Sequence, residues 1–577
     1  MGGTASSEAG ATDGCDDDTL SPRTSALRKR MRKELSWDGG AGVPVSVMLP
    51  LDTVTPDGKL RDPVRLKERL EVLKGMGVAG VMVDVWWGIV EAQGPRNYNW
   101  QPYVELMELC QSLELTVEAV MSFHACGGNV GDTVNVPLPL WVVKAASAGG
   151  LFFTDQAGFV NLECLSLFSD EVPGLEGRTP VDCYHDFMVA FVSAMDAFMG
   201  NTLVLVCVGM GPCGELRYPS YPMQDSRWRF PGVGEFQSFD KHAATQLAEA
   251  AGQCGHPEWG RKPGPHDAGG YTSKPEDTGF FCSGGSMHGE YGQFFLKWYS
   301  GALVAHGRRM LEAASRAFGS CASGGRRVPL GVKLAGIHWH YLGSHAAELT
   351  AGYYNVLGHN GYQPVADLCG QFGAGLVLTC IEMRDSEQPP EALSSPERLM
   401  LQVRECAARA RVPLMGENAL FRSDAEAFDT IILHARLGRS SVEDAGQGGK
   451  PPLPPMASVT FLRMQDGLLD DEAAVANFAR FVHHMGPGPQ FVGPRPAAAV
   501  PLRSMESAGS LTQLEALHSH ALHPSSSMGS FSHGTSHYGG SPVPSPGPGG
   551  GGASAGAGVM MPSLFGGPGG SGTFNPG

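Results

Sequence analysis

Leu203-Val204-Leu205-Val206-Cys207-Val208 is followed by Gly209-Met210-Gly211-Pro212-Cys213-Gly214-Glu215-Leu216-Arg217-Tyr218-Pro219. Six apolar residues run straight into a glycine-marked loop that carries a carboxyl group. The pattern recurs once more: Val412 to Met415 leads into Gly416-Glu417-Asn418-Ala419-Leu420. A short continuous apolar run reads as a strand buried on both faces, and the loop after it places Glu215 or Glu417 at a strand mouth. Two carboxyl groups held apart on a rigid frame suit glycoside cleavage. One protonates the leaving oxygen, and the other activates water or attacks carbon.

Working outward, further runs of the same kind are Val45–Leu49, Val78–Val85, Thr116–Phe123, Val328–Ala335, Gly375–Thr379 and Ser458–Leu462, with Thr202–Val208 and Val412–Met415 completing eight. Helical spacing falls between them. Leu66, Leu70 and Leu73 recur on one face, and Ser423 with Glu426 forms a capping box before Phe428, Ile431, Ile432 and Leu433. Eight strands alternating with helices predict an α/β fold, a (β/α)8 TIM-type barrel with long loop insertions over residues 44–485. A doubly wound open sheet is the alternative, but no Gly-rich phosphate loop follows the first strand.

The flanks have another composition. Residues 1–43 are small, polar and charge-segregated, with a basic run from Arg28 to Lys33 that reads as a solvated helix start. Residues 486–577 are dominated by Gly, Pro, Ser and Ala, as in Pro546 to Gly552. Both flanks are expected to be disordered, because neither can bury a core. Nothing in the tail repeats as a carbohydrate-binding module would.

The 577 residues carry 42 basic and 58 acidic side chains, a formal charge of -16. An acidic surface argues against a nucleic-acid partner and fits a neutral small-molecule or polymer substrate. Thirteen cysteines include no Cys-x-x-Cys pair, and Cys207 and Cys380 lie inside apolar runs. They read as reduced thiols, so the protein is expected to be intracellular and not secreted, with no metal site and no cofactor. No apolar run approaches a membrane span. Asp13, Asp16, Asp17 and Asp18 exclude a secretory signal and fit poorly with a plastid transit peptide, and plastid and cytosol both stay open. Met1-Gly2-Gly3-Thr4-Ala5-Ser6 matches a loose and short myristoylation pattern.

In a (β/α)8 barrel, chemistry sits where the strands end. The second strand ends in Asp84-Val85-Trp86-Trp87. The third ends in Phe123-His124, then Cys126-Gly127-Gly128-Asn129-Val130-Gly131-Asp132. The fourth leads to Glu215, Arg217 and Tyr218, and the fifth carries Lys333 and runs to His338-Trp339. The sixth ends at Thr379 before Glu382, Arg384 and Asp385, the seventh at Glu417 and Asn418, and the eighth at Arg463. So many polar and aromatic mouths point to a hydroxyl-rich ligand. Each residue also has a purely structural reading. Trp86 and Trp87 could stack on sugars or pack in the core. The glycines around Asp132 could shape a turn or hinge a flap. Arg384, Asp385 and Glu387 could form ion pairs, and Glu215 could pair with Arg217.

Leu49 to Asp52, Val81 to Gly88, Cys126 to Asp132, Gly214 to Pro222, Gly336 to Trp339, Ser344 to Asn355, Glu382 to Gln388 and Gly416 to Leu420 resemble, in order, the signature segments of plant-type β-amylases, the family-14 glycoside hydrolases. The resemblance implies an inverting exo-hydrolase that releases maltose from the non-reducing ends of α-1,4-glucans such as starch. It implies Glu215 as general acid and Glu417 as general base. Asp132 matches the carboxylate of a mobile flap, and Thr379 an inner-loop threonine that shifts with substrate. Asp84, His124, Lys333, Asn418 and Arg463 match substrate contacts, and Leu420 a leucine in the sugar path. His338 joins them as a candidate substrate contact at the fifth mouth. Glu215 must carry a proton at working pH, while Glu417 must stay ionised and hold a water, helped by Lys333. The chain departs from the family pattern at His340, where a second tryptophan is usual, at Ala125, where glutamine is frequent, and within Phe159 to Phe168. Two other readings use the same barrel: a non-catalytic maltose or glucan sensor, and a retaining hydrolase or glucanotransferase.

Overall fold

β2 (Gly80–Trp86) and β3 (Thr116–Ser122) are the longest of eight parallel strands in the computed structural model, which describes residues 42–129, 131–319, 327–436 and 453–486. The others are β1 (Val45–Met48), β4 (Leu203–Val208), β5 (Leu330–Leu334), β6 (Gly375–Leu378), β7 (Leu414–Glu417) and β8 (Val459–Phe461). Each pairs with the next in chain order, and β8 returns to β1 with Val45 opposite Val459 and Val47 opposite Phe461, closing a barrel. A main helix follows each strand: α1 (Pro63–Gly75), α2 (Gln101–Ser112), α3 (Pro180–Ala194), α4 (Glu290–Gly319), α5 (Gln363–Phe372), α6 (Pro396–Ala410), α7 (Ala425–Arg436) and α8 (Glu472–Met485). The expected (β/α)8 barrel is therefore the fold.

Side chains alternate along a strand, so each strand serves two cores. Met48, Met82, Val120, Leu205, Cys207, Val377 and Met415 fill the barrel interior as their own cluster. Their neighbours Val47, Val81, Val83, Val117, Ala119, Val206, Val332 and Leu376 pack outward with the helices. Leu66, Leu70 and Leu73 form the buried face of α1, as their spacing predicts. The Val43 amide donates to the Met485 carbonyl at 2.9 Å, which joins the first and last described segments. Val43, expected to belong to a disordered flank, is instead buried against the barrel; the flanks beyond residues 42 and 486, with the myristoylation pattern and the basic run, lie outside the described residues.

The capping reading at α7 needs correction. Asp424, not Ser423, caps this helix: its Oδ1 accepts the Ala427 amide at 2.9 Å, and Arg422 pairs with the same carboxylate. A carboxylate one residue nearer the first turn outcompetes the hydroxyl, because it also suits the positive helix end. The long insertions sit at the mouths. The segment between β3 and α3 holds an antiparallel hairpin, Phe152–Thr154 with Val160–Leu165, which lies outside the strands read from sequence.

Candidate active site

The loop after β4 folds back on itself before it presents Glu215. Cys213 (φ 54°) and Gly214 (φ 75°) lie consecutively in the left-handed region. A Cβ on Gly211 would stand 2.7 Å from the Glu215 carbonyl and 2.6 Å from that of Arg217, so only glycine allows this approach. The turn delivers Glu215 against β5, where the Leu216 amide donates to the Lys333 carbonyl at 2.9 Å. Arg217 Nε donates to Glu215 Oε2 at 2.7 Å, so the pairing considered from sequence is present. The second oxygen, Oε1, faces Thr379 Oγ1 at 3.4 Å. Thr379 also accepts the Gly336 amide at 2.8 Å, tying the ends of β5 and β6 to Glu215.

Lys333 connects the two glutamates. Its main chain pairs with Glu215, and its side chain reaches Glu417 across the barrel mouth. Nζ donates to Glu417 Oε2 at 2.9 Å. It lies 2.8 Å from Oε1 but outside hydrogen-bond geometry, which leaves that oxygen without a donor. Glu417 is 1% exposed and Lys333 5%, so the pair is buried. Burial pulls the Lys333 ammonium down, the Glu417 carboxylate, Cys207 and Asp84 raise it, and the net direction is up. Unlike the apolar run that marks its strand, Glu417 itself is the last residue of β7.

The remaining candidates surround this pair unequally. Asp84 accepts Ser122 Oγ at 2.9 Å and lies 4.0 Å from Arg463, whose Nη1 donates to the Leu49 carbonyl. Arg463 also lines a cleft of about 460 Å3 with Asp52, Arg61 and Thr133. The His124 ring lies near Gly214 and edge-on to Trp86, and its Nδ1 is buried without a partner. Burial pulls His124 down to about 4, so the ring is neutral and free to bond a hydroxyl. His338 is also pulled down to about 4 by burial, but it packs on Phe230 and Trp339 rather than on another candidate residue. Asn418 spends its amide on the backbone: Oδ1 accepts Leu462 N at 2.7 Å, and Nδ2 donates to the Leu420 and Leu462 carbonyls. Leu420 is 41% exposed beside exposed Phe421.

Asp132 turns its carboxylate into its own loop, where Oδ2 accepts the Gly127 and Asn129 amides at 2.8 and 2.9 Å. This loop is held from the hairpin by a residue the sequence did not single out. Glu163 accepts Asn129 Nδ2 at 2.6 Å, and burial pushes its carboxyl up to about 7. Glu382, left without a role by sequence, accepts the Ala419 and Leu420 amides and so shapes the turn after Glu417. Trp86 and Trp87 are core residues: their ring nitrogens bond the Leu51 carbonyl and Glu91, and neither offers an open face. Arg384 bonds Thr430, Asp385 bonds Ser395, and Glu387 pairs with Arg422, so this trio is structural.

The model of glycosyl hydrolase family 14 matches residues 46–489. The chain belongs to glycosyl hydrolase family 14. Beta-amylase 1, chloroplastic, of Arabidopsis thaliana is 49% identical over 454 residues, 78% of this chain and 77% of that protein. Beta-amylase of Glycine max is 47% identical over 430 residues, 74% of this chain and 84% of that one. Among solved structures, the catalytic domain of beta-amylase from Paenibacillus polymyxa superposes with a TM-score of 0.61 at 28% identity, covering 76% of this chain and 97% of that domain.

Two of the positions read as departures from the family pattern, His340 and Ala125, have definite partners in the structure. His340 is buried, and its Nε2 lies 2.5 Å from the Pro231 carbonyl, while Trp339 Nε1 donates to the Gly232 carbonyl at 3.0 Å. Together they pin the Phe230–Gly232 loop. The Ala125 amide donates to the Glu163 carbonyl at 2.7 Å, which joins the flap to the hairpin without help from the side chain.

Proposed function

We propose that this family-14 chain is a starch-hydrolysing β-amylase, an inverting exo-hydrolase that releases β-maltose from non-reducing ends of α-1,4-glucans. The observation that carries the reading is the double use of Lys333, whose main chain holds Glu215 and whose ammonium holds Glu417. Arg217 occupies Glu215 Oε2, so Oε1 delivers the proton to the glycosidic oxygen as the bond to the anomeric carbon breaks. Glu417 Oε1, which has no donor, takes the attacking water. The water's oxygen bonds the anomeric carbon from the face opposite the leaving group, and one of its protons passes to Glu417. Lys333 supplies the counter-charge that a buried carboxylate needs. His124 offers a neutral ring to a sugar hydroxyl, and Asp84 and Arg463 border the approach. Closure of the Asp132 loop over the site would exclude water from the reaction.

A non-catalytic glucan sensor would have no need of this carboxylate pair. A reducing-sugar assay on soluble starch tests the reading directly. Glu215→Gln and Glu417→Gln should each lower turnover by at least roughly 10²–10⁴-fold with the fold intact. Near-normal turnover in either variant would remove that residue from its role. As to compartment, beta-amylases of Arabidopsis thaliana and Oryza sativa subsp. japonica, each 49% identical to this chain, are named chloroplastic, which supports a plastid location. No helix among the described residues is long and apolar enough to cross a membrane. A fluorescent fusion of the full chain places the protein in the plastid or the cytosol.

A further inference from the structure

Beneath the Lys333–Glu417 pair lies a third carboxyl group that the hydrolytic mechanism does not use. Glu118 sits on β3, on the strand face shared with Val120 and Ser122, and points into the barrel. It is 5% exposed. Its two oxygens reach across the interior to other strands: Oε1 accepts Ser46 Oγ of β1 at 2.9 Å, and Oε2 accepts Thr460 Oγ1 of β8 at 3.2 Å. Thr460 is in turn the register partner of Glu417, so the two side chains stand side by side on the inner wall. Glu118 has no ion-pair partner of its own among the described residues.

We propose that Glu118 is a positioning residue for the hydrolytic reaction, whose carboxyl group changes charge on the barrel floor beneath the Lys333–Glu417 pair and thereby sets the alkaline limit of activity. This rests on the hydrolase reading above.

A carboxylate taken out of water and given only two hydroxyl donors is expensive, and a neighbouring carboxylate makes it more so. Burial, with Glu417 adding to it, pushes Glu118 up to about 7 against the pull of Ser46, Thr460 and Lys333. The titratable groups that face it from the other strands are Asp84 of β2, Cys207 of β4, Lys333 of β5 and Glu417 of β7. Burial also pushes the Cys207 thiol up, so this thiol stays neutral. Asp84 has Arg463 at 4.0 Å and Glu417 has Lys333, so Glu118 is the carboxyl group here with no cation of its own among the described residues. When Glu118 is protonated, Lys333 and Glu417 balance each other. When it ionises, the floor gains one negative charge, which holds protons on nearby acids to higher pH.

The test uses the full-length protein and two variants. Glu118→Gln keeps the shape and stays neutral: its amide oxygen accepts one hydroxyl, and its amide nitrogen donates to the oxygen of the other. Its acidic limb of kcat/KM should overlay the wild type, while its alkaline limb should move to lower pH by about half a unit. Thr460→Val removes one donor to the carboxylate, so Glu118 should ionise at higher pH. Infrared difference spectra read the group itself. A protonated-carboxyl band should vanish as pH rises through neutrality, be absent in Glu118→Gln, and persist to higher pH in Thr460→Val. Superimposable activity profiles, or a band that titrates near the ordinary glutamate value, would overturn the proposal. A protein that hydrolyses no starch would overturn the functional reading instead, and the infrared titration would still decide the state of Glu118.

Discussion

Replacing Lys333 by Met tests how the site holds its buried charge. The Lys333 side chain is 6% exposed and that of Glu417 1%, with Nζ 2.9 Å from Oε2 and 2.8 Å from Oε1. Glu417 has no other cation and no other hydrogen-bond donor among the described residues. Removing Lys333 leaves a buried carboxylate without a counter-charge, and such a break costs about 3–5 kcal/mol. Lys333→Met/Glu417→Gln removes both charges at nearly constant volume and should regain most of that loss, because paired buried charges contribute little net stability over neutral groups. Glu417→Gln alone keeps an acceptor for Nζ and should fall between the two. Urea unfolding at neutral pH, with the four proteins run as a double-mutant cycle, gives the coupling directly, and it should exceed about 2 kcal/mol. If Lys333→Met costs less than about 1 kcal/mol, or if the two single losses simply add, the carboxylate is not held by Lys333 and the account of the site fails.

Two further outcomes follow from the titrating groups and the flap. Burial pushes Glu118, Glu163, Glu235 and Glu382 up to about 7, above their unfolded value of 4.5, so the stability they contribute is present below 4.5 and lost as pH rises through 7. Burial pulls His124, His338 and His434 down to about 4, below their unfolded value of 6.5, so their contribution is present above 6.5 and lost as pH falls through 4. Between those limits the sets oppose, and together these groups should tilt unfolding free energy by only about 1.4 kcal/mol per pH unit. A steep loss on acidification, of about 4 kcal/mol per unit, would mean that the histidines act alone. Asp132→Asn should lower kcat more than it weakens maltose binding, since the carboxylate fixes the Gly127 and Asn129 amides of the flap. An unchanged rate with lost binding would make Asp132 a plain ligand contact.

The barrel was legible because parallel strands buried on both faces leave unbroken apolar runs. All eight runs overlap a strand, and the largest drift is at β7. There the run stops at Met415, while pairing continues through Gly416 to Glu417, a buried carboxylate that an apolar pattern does not mark. The hairpin at Phe152–Thr154 escaped notice because its second strand exposes Val160 and Leu162, so burial never stamped a run on it. Depth was also illegible. Trp86 and Trp87 stand at a mouth in sequence, yet both rings are sealed by contacts with distant segments. Individual partners were harder still. Asn418 looks like a ligand contact, but its amide closes a backbone gap with Leu462, 44 residues away. Glu118 sits in an ordinary strand sequence, and its partners Ser46 and Thr460 are 72 and 342 residues distant. Sequence spacing reports local periodicity and says nothing of what crosses a barrel.

The most direct measurement follows the anomeric proton of the first product. Soluble maltodextrin and the full-length protein are mixed in the NMR tube, and spectra are taken before mutarotation equalises the anomers. An inverting acid–base pair leaves room for water between base and sugar, with carboxyl groups roughly 6.5–9.5 Å apart, whereas a nucleophile needs about 5–5.5 Å. With Glu215 as acid and Glu417 as base, β-maltose should appear first and the α-anomer should grow in only at the mutarotation rate. An α-anomer that appears first would contradict the inverting assignment of Glu215 and Glu417.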